Sequence, residues 1–198
     1  MNLFEKYGRG LPYADFIARY ANEAQKQRWH AVKQQVALTA AQRELLGAFR
    51  RAMPVLCLAG AWCGDCINQC PIFEHFAAAA PVIQVRYLDR DEHADVQDAL
   101  QINGGKRVPV VLFFSEDGHE VARYGERTLS KYRQMVRDLA LSQYHQVMRD
   151  LGGASCPTGI QATGAPFLAQ VTQDWLNEFE RVQWLLHLSP RLRQLHGD

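Results

Sequence analysis

The amino-acid sequence predicts an α/β fold in which a mixed central sheet is covered by helices on both faces. Short apolar segments in the middle of the chain alternate with helical segments, as strands and helices do in α/β proteins. Two further strand candidates follow with only a short turn between them, which indicates a hairpin. These observations predict the order helix, strand, helix, strand, helix, strand, strand, helix, with helical extensions at both ends.

The N-terminal part of the chain is predicted to be helical. Within residues 12–36, apolar side chains recur at helical spacing over a polar face, and they are Tyr13, Phe16, Ile17, Tyr20, Ala24, Trp29 and Val32. Thr39 and Gln42 then fit a capping box. They predict a second helix, which carries Leu45, Leu46 and Phe49 and stops before Pro54.

The central segments supply the first two strands and their helices. Residues 55–61 form a short apolar run bounded by Pro and Gly, which predicts a buried strand, and the chain is helical from Cys63 onward. Residues 82–88 are a second strand candidate. Residues 94–100 predict a short helix that leads into the turn at 104–105.

The second half of the sheet follows. Residues 108–114 give the strongest strand signal in the chain, and residues 115–118 are typical of a hairpin turn. Residues 120–124 are the returning strand. A helix over 129–141 closes this part of the chain.

The end of the chain differs in composition. Residues 152–166 are rich in Gly, Pro, Ser and Thr, which predicts an irregular linker. Apolar residues then recur at helical spacing, and they are Trp175, Phe179, Val182 and Leu186, with Trp184, Leu185 and Leu188 beside them. This helix either docks on the core or presents a partner-binding or dimerising face, and both interpretations stay open here.

Composition and charge exclude several classes of function. The chain has 198 residues, with 22 Lys and Arg against 21 Asp and Glu, so bulk charge would not draw it to nucleic acid or to an anionic membrane. No apolar run has the length of a signal peptide or a transmembrane helix. We therefore expect a cytoplasmic protein with no nucleic-acid or membrane partner. Closely spaced thiols in a reducing compartment are typical of catalytic or metal sites.

Three of the five cysteines lie within eight positions, at Cys63, Cys66 and Cys70. Cys63 falls at a strand-to-helix junction, where unpaired N–H groups and the helix dipole stabilise a thiolate. Such sites lower a thiol pKa from roughly 8.5 toward or below neutrality, so Cys63 is the candidate nucleophile. Cys66 lies one turn deeper and suits the resolving role, attacking a mixed disulfide that Cys63 has formed with a substrate.

The sequence resembles the thioredoxin superfamily at several positions. Residues 62–66 read WCGDC, Pro71 follows five residues after the second cysteine, and Val108-Pro109 begins a strand candidate. The resemblance is narrower to bacterial thioredoxin-like proteins that carry WCGDC and a helical N-terminal extension. It implies that Pro71 kinks the active-site helix and that Pro109 is cis and lies against the cysteine pair. It also implies that Val108 offers backbone hydrogen bonds to a bound peptide.

The resemblance covers roughly residues 37–141, which we expect to form a thioredoxin-like domain. Residues 1–36 would then be an N-terminal helical extension. Residues 142–198 would be a C-terminal helical extension that includes the linker 152–166.

Three positions depart from the thioredoxin pattern. Asp65 replaces the usual proline, and a carboxylate about 6 Å from the thiolate would oppose it by about 1–3 kcal/mol. That charge predicts a higher thiolate pKa and a more reducing couple. Cys57 stands where thioredoxins bury an aspartate, and Tyr87 stands where they place a lysine. The proton-transfer apparatus is therefore absent or rebuilt.

The sequence predicts a thiol-disulfide oxidoreductase that reduces protein or small-molecule disulfides at Cys63 and Cys66. The supporting residues are Trp62, Gly64, Asp65 and Pro71, and the substrate-binding residues are Val108 and Pro109. No bound cofactor is implied, and the electrons would come from a reductase or a small thiol. One alternative is a non-catalytic peptide-binding module of the same fold.

A metal site is the other alternative, because Cys63, Cys66 and Cys70 have spacings that can share a zinc ion. The remaining thiols each have two interpretations. Cys70 is a core thiol or a second partner for Cys66, and Cys57 is expected to be a core strand residue. Cys156, in the linker, is a free thiol or a residue able to reach Cys63. Lys106 and Arg107 are either a solvated loop pair or residues that give the site a weak preference for acidic peptides.

Overall fold

The computed structural model describes residues 1–150 and 165–197. In these residues the strands are β1 (Met53–Ala59), β2 (Ile83–Asp89), β3 (Val110–Phe114) and β4 (Glu120–Gly125). The helices there are α1 (Leu3–Arg9), α2 (Tyr13–Tyr20), α3 (Glu23–Gln35), α4 (Ala40–Gly47), α5 (Gly64–Ala79), α6 (Ala94–Ala99), α7 (Leu129–Asp150), α8 (Ala165–His187) and α9 (Pro190–His196). The predicted order of elements from α4 to α7 is confirmed.

The sheet is mixed, with strand order β2-β1-β3-β4. β1 runs parallel to β2, with Cys57 opposite Tyr87, and antiparallel to β3, with Cys57 opposite Val111. β3 and β4 form the predicted hairpin. Its turn needs Gly118, because φ is +86° there and a Cβ would lie 2.6 Å from the Phe4 ring.

Helices cover both faces of the sheet. Phe113 and Phe114 are neighbours in β3, so their side chains point to opposite faces. The Phe113 ring lies 5.0 Å from the Phe179 ring of α8, and the Phe114 ring lies 5.4 Å from the Phe4 ring of α1. The predicted fold class is therefore confirmed.

The N-terminal segment consists of three helices rather than one continuous helix. α2 ends at Tyr20, and Asn22 begins α3 with a full capping box that includes Gln25. Between α1 and α2, Leu11 exchanges two 2.8 Å backbone hydrogen bonds with Tyr87 of β2. Because β2 is an edge strand, this contact covers an otherwise open sheet edge.

The second predicted helix, α4, begins as the sequence indicates. The Thr39 hydroxyl accepts a hydrogen bond from the Gln42 N–H, and the Gln42 side chain accepts one from the Thr39 N–H. The helix ends at Gly47, six residues before β1 begins at Met53.

The C-terminal helix α8 docks on the core. Trp175, Phe179 and Val182 are fully buried, and the Trp175 ring lies 4.7 Å from Phe73 of α5. The docking interpretation is therefore the one that the structure shows. Trp184 and Leu185 instead point outward from this helix. The predicted linker 152–166 lies outside the described residues except for its last two positions, which begin α8.

No helix in the described parts of the chain combines the length and the apolar character needed to cross a bilayer.

Candidate active site

The active-site loop runs from the end of β1 to the start of α5. Cys63 is the N-cap of α5, and its carbonyl accepts the first helical hydrogen bond from the Ile67 N–H at 2.9 Å. Just before it, the Ala61 carbonyl accepts a 2.8 Å hydrogen bond from the buried Trp29 indole. The N-terminal extension therefore holds the loop that carries Cys63.

The two predicted catalytic cysteines lie together at this helix terminus. Cys63 is partly exposed, whereas Cys66 is completely buried, and both are free thiols. Backbone N–H groups of Asp65 and Cys66 hydrogen-bond the Cys63 sulfur. The Gly60 N–H donates to the Cys66 sulfur at 3.5 Å. Solvent can reach the first sulfur, and the second lies behind it.

The two thiols titrate as one unit. The hydrogen bond with Cys66, followed by burial, raises the pKa of Cys63. Burial opposes ionisation of Cys66, but hydrogen bonds from Cys63, Cys70 and the Gly60 N–H outweigh it and lower the pKa of Cys66 to about 5. In the reduced pair these contacts therefore favour the thiolate on Cys66 over Cys63, opposite to the lowered Cys63 pKa that the sequence predicts.

Val108 and Pro109 lie directly against this pair. The Cys63 thiol donates to the Val108 carbonyl at 3.7 Å, and the Val108–Pro109 peptide bond is cis. Gly125 of β4 lies behind Pro109, where a Cβ would come within 2.4 Å of the Pro109 carbonyl oxygen. The structure thus brings together all four predicted catalytic and substrate-binding residues.

Trp62 precedes Cys63 in the loop and is 49% exposed. Its indole N–H donates to Asp91 at 3.1 Å, and the Arg90 guanidinium lies 5.2 Å from its ring centroid. Gly60 leaves room for this ring, since a Cβ there would lie 3.0 Å from it. The large aromatic surface is therefore held open next to Cys63.

Asp65 is not an isolated charge. Its carboxylate pairs with Arg127 at 2.8 Å, and Arg127 also contacts Glu126 at 3.1 Å. The prediction of a more reducing couple treats Asp65 as unpaired, whereas in the structure its carboxylate contacts a guanidinium that it shares with Glu126. Sequence reasoning missed Arg127, because nothing in the local pattern ties it to the motif.

A second residue that sequence reasoning missed is Gln69, one turn after the pair on α5. Its amide nitrogen donates to the carbonyls of Asp65, at 3.1 Å, and Glu126, at 2.9 Å. Its amide oxygen accepts from the Trp175 indole at 3.0 Å. Through Gln69, helix α8 is tied to the first turn of α5 and to the loop after β4.

The other two motif residues, Gly64 and Pro71, both lie in α5. Gly64 is the first residue of α5 and is exposed, and Pro71 lies inside α5 and is buried.

Lys106 pairs with Asp98 at 2.6 Å, and Arg107 lies 3.6 Å from Glu126. These pairings leave little free positive charge to favour an acidic peptide.

The remaining described cysteines form a second pair beneath the first. Cys57 and Cys70 are both fully buried, with their sulfurs 3.7 Å apart. Tyr87, also buried, donates from its hydroxyl to the Cys70 carbonyl at 3.2 Å. Within residues 1–150 and 165–197, no group of three or more His, Cys, Asp or Glu side chains is arranged to hold a metal ion. Cys156 lies outside the described residues.

Comparison with known proteins agrees with this geometry. Residues 10–141 match the sequence model of the family described as thioredoxin. The chain belongs to the thioredoxin family. A thioredoxin of Chlamydia pneumoniae is 32% identical over 62 residues, which are 31% of this chain and 57% of that protein. The chain therefore spans little more than half the length of that curated relative.

Two solved structures share the fold over nearly the whole chain. A Pseudomonas aeruginosa protein of unknown function has a TM-score of 0.62 at 18% identity, covering 89% of this chain and 93% of its own. An HIV epitope scaffold has a TM-score of 0.57 at 15% identity, covering 100% of this chain and 99% of its own. In the epitope scaffold the aligned region therefore includes the terminal helices.

Proposed function

We propose that this protein is a thiol-disulfide oxidoreductase that reduces disulfides in proteins or small molecules. The observation that carries the proposal is the placement of the two thiols at the start of α5. Cys63 is accessible and receives backbone N–H groups, while Cys66 is buried immediately behind it. A binding module of this fold would need neither a reachable nucleophile nor a second thiol in contact with it.

The reaction begins when the proton on Cys63 passes to Cys66, so that the thiolate resides on Cys63. Its sulfur attacks a substrate disulfide, one S–S bond breaks as another forms, and the leaving sulfur takes up a proton. Cys66 then gives up its proton and attacks the Cys63 sulfur, which releases the second substrate thiol. Two electrons have moved from the Cys63 and Cys66 pair to the substrate, and the enzyme holds one disulfide.

The surface beside Cys63 fits an extended peptide or a small disulfide. On one side lies the backbone at Val108 and Pro109, and on the other the exposed face of Trp62. We propose that Val108 hydrogen-bonds the substrate backbone and that Trp62 packs against its apolar part. No cofactor takes part in these steps. The electron donor in the cytoplasm would be a reductase or a small thiol.

Trapping of the intermediate tests this proposal. In Cys66→Ser, Cys63 should form a stable mixed disulfide with oxidised glutathione, visible as one added glutathione by mass spectrometry. The matched control is Cys63→Ser, which keeps the buried thiol and should gain no adduct at that pair. The proposal fails if Cys66→Ser gains no adduct while its Cys63 still reacts with iodoacetamide. A circular dichroism spectrum shows whether each variant is folded.

A further inference from the structure

We propose that Cys57 and Cys70 are a second redox pair, which receives the disulfide from Cys63 and Cys66 by exchange inside the protein. This inference rests on the proposed function, because the outer pair supplies the disulfide. It gives the reduced chain a capacity of two disulfides instead of one. It also assigns a role to the two thiols that the steps above leave unused.

The distance between the inner sulfurs carries the proposal. The sulfurs of Cys57 and Cys70 are 3.7 Å apart, and a disulfide bond needs about 2.05 Å. Cys57 is on β1 and Cys70 is on α5, so the bond would join two packed elements. Forming the bond therefore requires the two sulfurs to approach by about 1.7 Å.

A continuous line of thiols connects this inner pair to the surface. Cys66 belongs to the outer pair and links it to the inner one, because it hydrogen-bonds both Cys63 and Cys70. Along this line Cys63 is partly exposed, while Cys66, Cys70 and Cys57 are fully buried. A disulfide substrate therefore cannot reach Cys57 or Cys70 directly, and the route inward passes through Cys66.

The exchange balances without any further oxidant. Starting from the disulfide of Cys63 and Cys66, the Cys70 sulfur attacks Cys66, and Cys63 leaves and takes up the proton of Cys70. Cys57 next attacks Cys70, and Cys66 leaves and takes up the proton of Cys57. The outer disulfide is thereby reduced to two thiols, and the inner thiols become one disulfide. Two electrons and two protons have moved outward.

The inner pair is uncharged both before and after the exchange. Burial raises the pKa of both Cys57 and Cys70, so neither carries charge at rest. A disulfide between them is neutral and places no charge in the core. The transient bond between Cys66 and Cys70 spans one helical turn, where disulfide geometry is poor. Pro71 comes directly after Cys70 in α5. Because proline has no N–H group to donate to the Ile67 carbonyl, α5 lacks one backbone hydrogen bond in the turn that carries Cys66 and Cys70.

The test counts and maps disulfides in the intact chain. Fully reduced protein carrying Cys156→Ser, which removes the fifth cysteine, is incubated with excess oxidised glutathione, quenched in acid, alkylated in denaturant and digested. We expect two disulfides per chain, Cys63 with Cys66 and Cys57 with Cys70, and four glutathione thiols released. Adding Cys57→Ser should halve that yield to two thiols and leave the outer disulfide intact.

The relay is tested by adding Cys66→Ser instead. In that protein Cys63 should still take up glutathione, while Cys57 and Cys70 should stay reduced. The proposal is overturned if wild-type Cys57 and Cys70 remain thiols while the outer disulfide forms, or if they become oxidised equally well without Cys66. Absence of any disulfide at Cys63 would instead refute the proposed function, so the two failures are distinguishable.

Discussion

Removing the Arg127 guanidinium should raise the pKa of the first ionisation of the active-site thiols. In the wild type, Arg127 lies 2.8 Å from the Asp65 carboxylate, in the turn that carries Cys63 and Cys66. Arg127→Gln keeps a hydrogen-bond donor but removes the positive charge. Asp65 is then an uncompensated negative charge beside the thiolate, which disfavours ionisation.

The size of this effect follows from the spacing and exposure of the two charges. A unit charge about 6 Å from the thiolate opposes it by about 3 kcal/mol at an effective dielectric constant of about 20, and by about 0.7 kcal/mol in water. The Arg127 and Asp65 side chains are only 22% and 20% exposed, so the effect lies between these limits. We expect an increase of about one pKa unit, which corresponds to about 1.4 kcal/mol.

The assay is the pH dependence of alkylation by iodoacetamide, with the site of modification assigned by mass spectrometry. Asp65→Asn should move the pKa downward, because it removes the negative charge that opposes ionisation of Cys66. The double variant, which lacks both charges, should return to within about 0.5 unit of wild type. Equal alkylation profiles for wild type and Arg127→Gln would show that the ion pair between Arg127 and Asp65 does not affect the pKa of the thiols.

Three further predictions concern packing and buried charge. Phe179→Ala should lower the free energy of unfolding in urea by about 3–5 kcal/mol because it leaves a cavity under α8. Trp184→Ala should cost far less, because the Trp184 side chain is 45% exposed. Equal losses would contradict the docking of α8. Burial raises the pKa of Glu74, so this carboxyl favours the fold below its unfolded pKa and loses that contribution as pH rises. Glu74→Gln should therefore be more stable than wild type at pH 7, with the difference vanishing in acid, and a pH-independent difference would refute the sign. Gly125→Ala should slow the formation of the mixed disulfide between Cys63 and glutathione. The new Cβ would lie 2.4 Å from the Pro109 carbonyl oxygen and force that backbone to move. An unchanged rate would show that this contact does not position the site.

The strands and the cysteine pair could be predicted because their signals are local. The apolar run before Cys63 and the capping box at Thr39 each depend on residues within a few positions of one another. The juxtaposition of Val108 with Cys63 is not local, and it was accessible only through resemblance to a family that has both motifs.

The contacts that sequence reasoning missed join distant parts of the chain. Trp175 and Gln69 are separated by 106 residues, and Trp29 and Ala61 by 32. Apolar periodicity marks both tryptophans as buried but does not reveal which polar atom each indole meets. The charge at Asp65 is a further example, because the local sequence does not show that Arg127 pairs with it.

Cys57, which stands where thioredoxins bury an aspartate, contacts Cys70 in the structure. The sequence shows only that a thiol replaces a buried carboxyl on β1, and it leaves Cys70 with two open roles. Packing of α5 on the sheet is what places these two sulfurs 3.7 Å apart, with the Tyr87 hydroxyl at the Cys70 carbonyl. A pairing between a strand and a helix has no periodicity in the sequence that could predict it.

The most direct measurement of the central claim is a redox titration of the intact protein in mixtures of reduced and oxidised glutathione, with each cysteine assigned by alkylation and mass spectrometry. We expect Cys63 and Cys66 to pass from two thiols to one disulfide reversibly and in a single two-electron step. If Cys63 and Cys66 instead react independently, each accumulating its own glutathione adduct without forming a disulfide, then the protein is not a dithiol oxidoreductase.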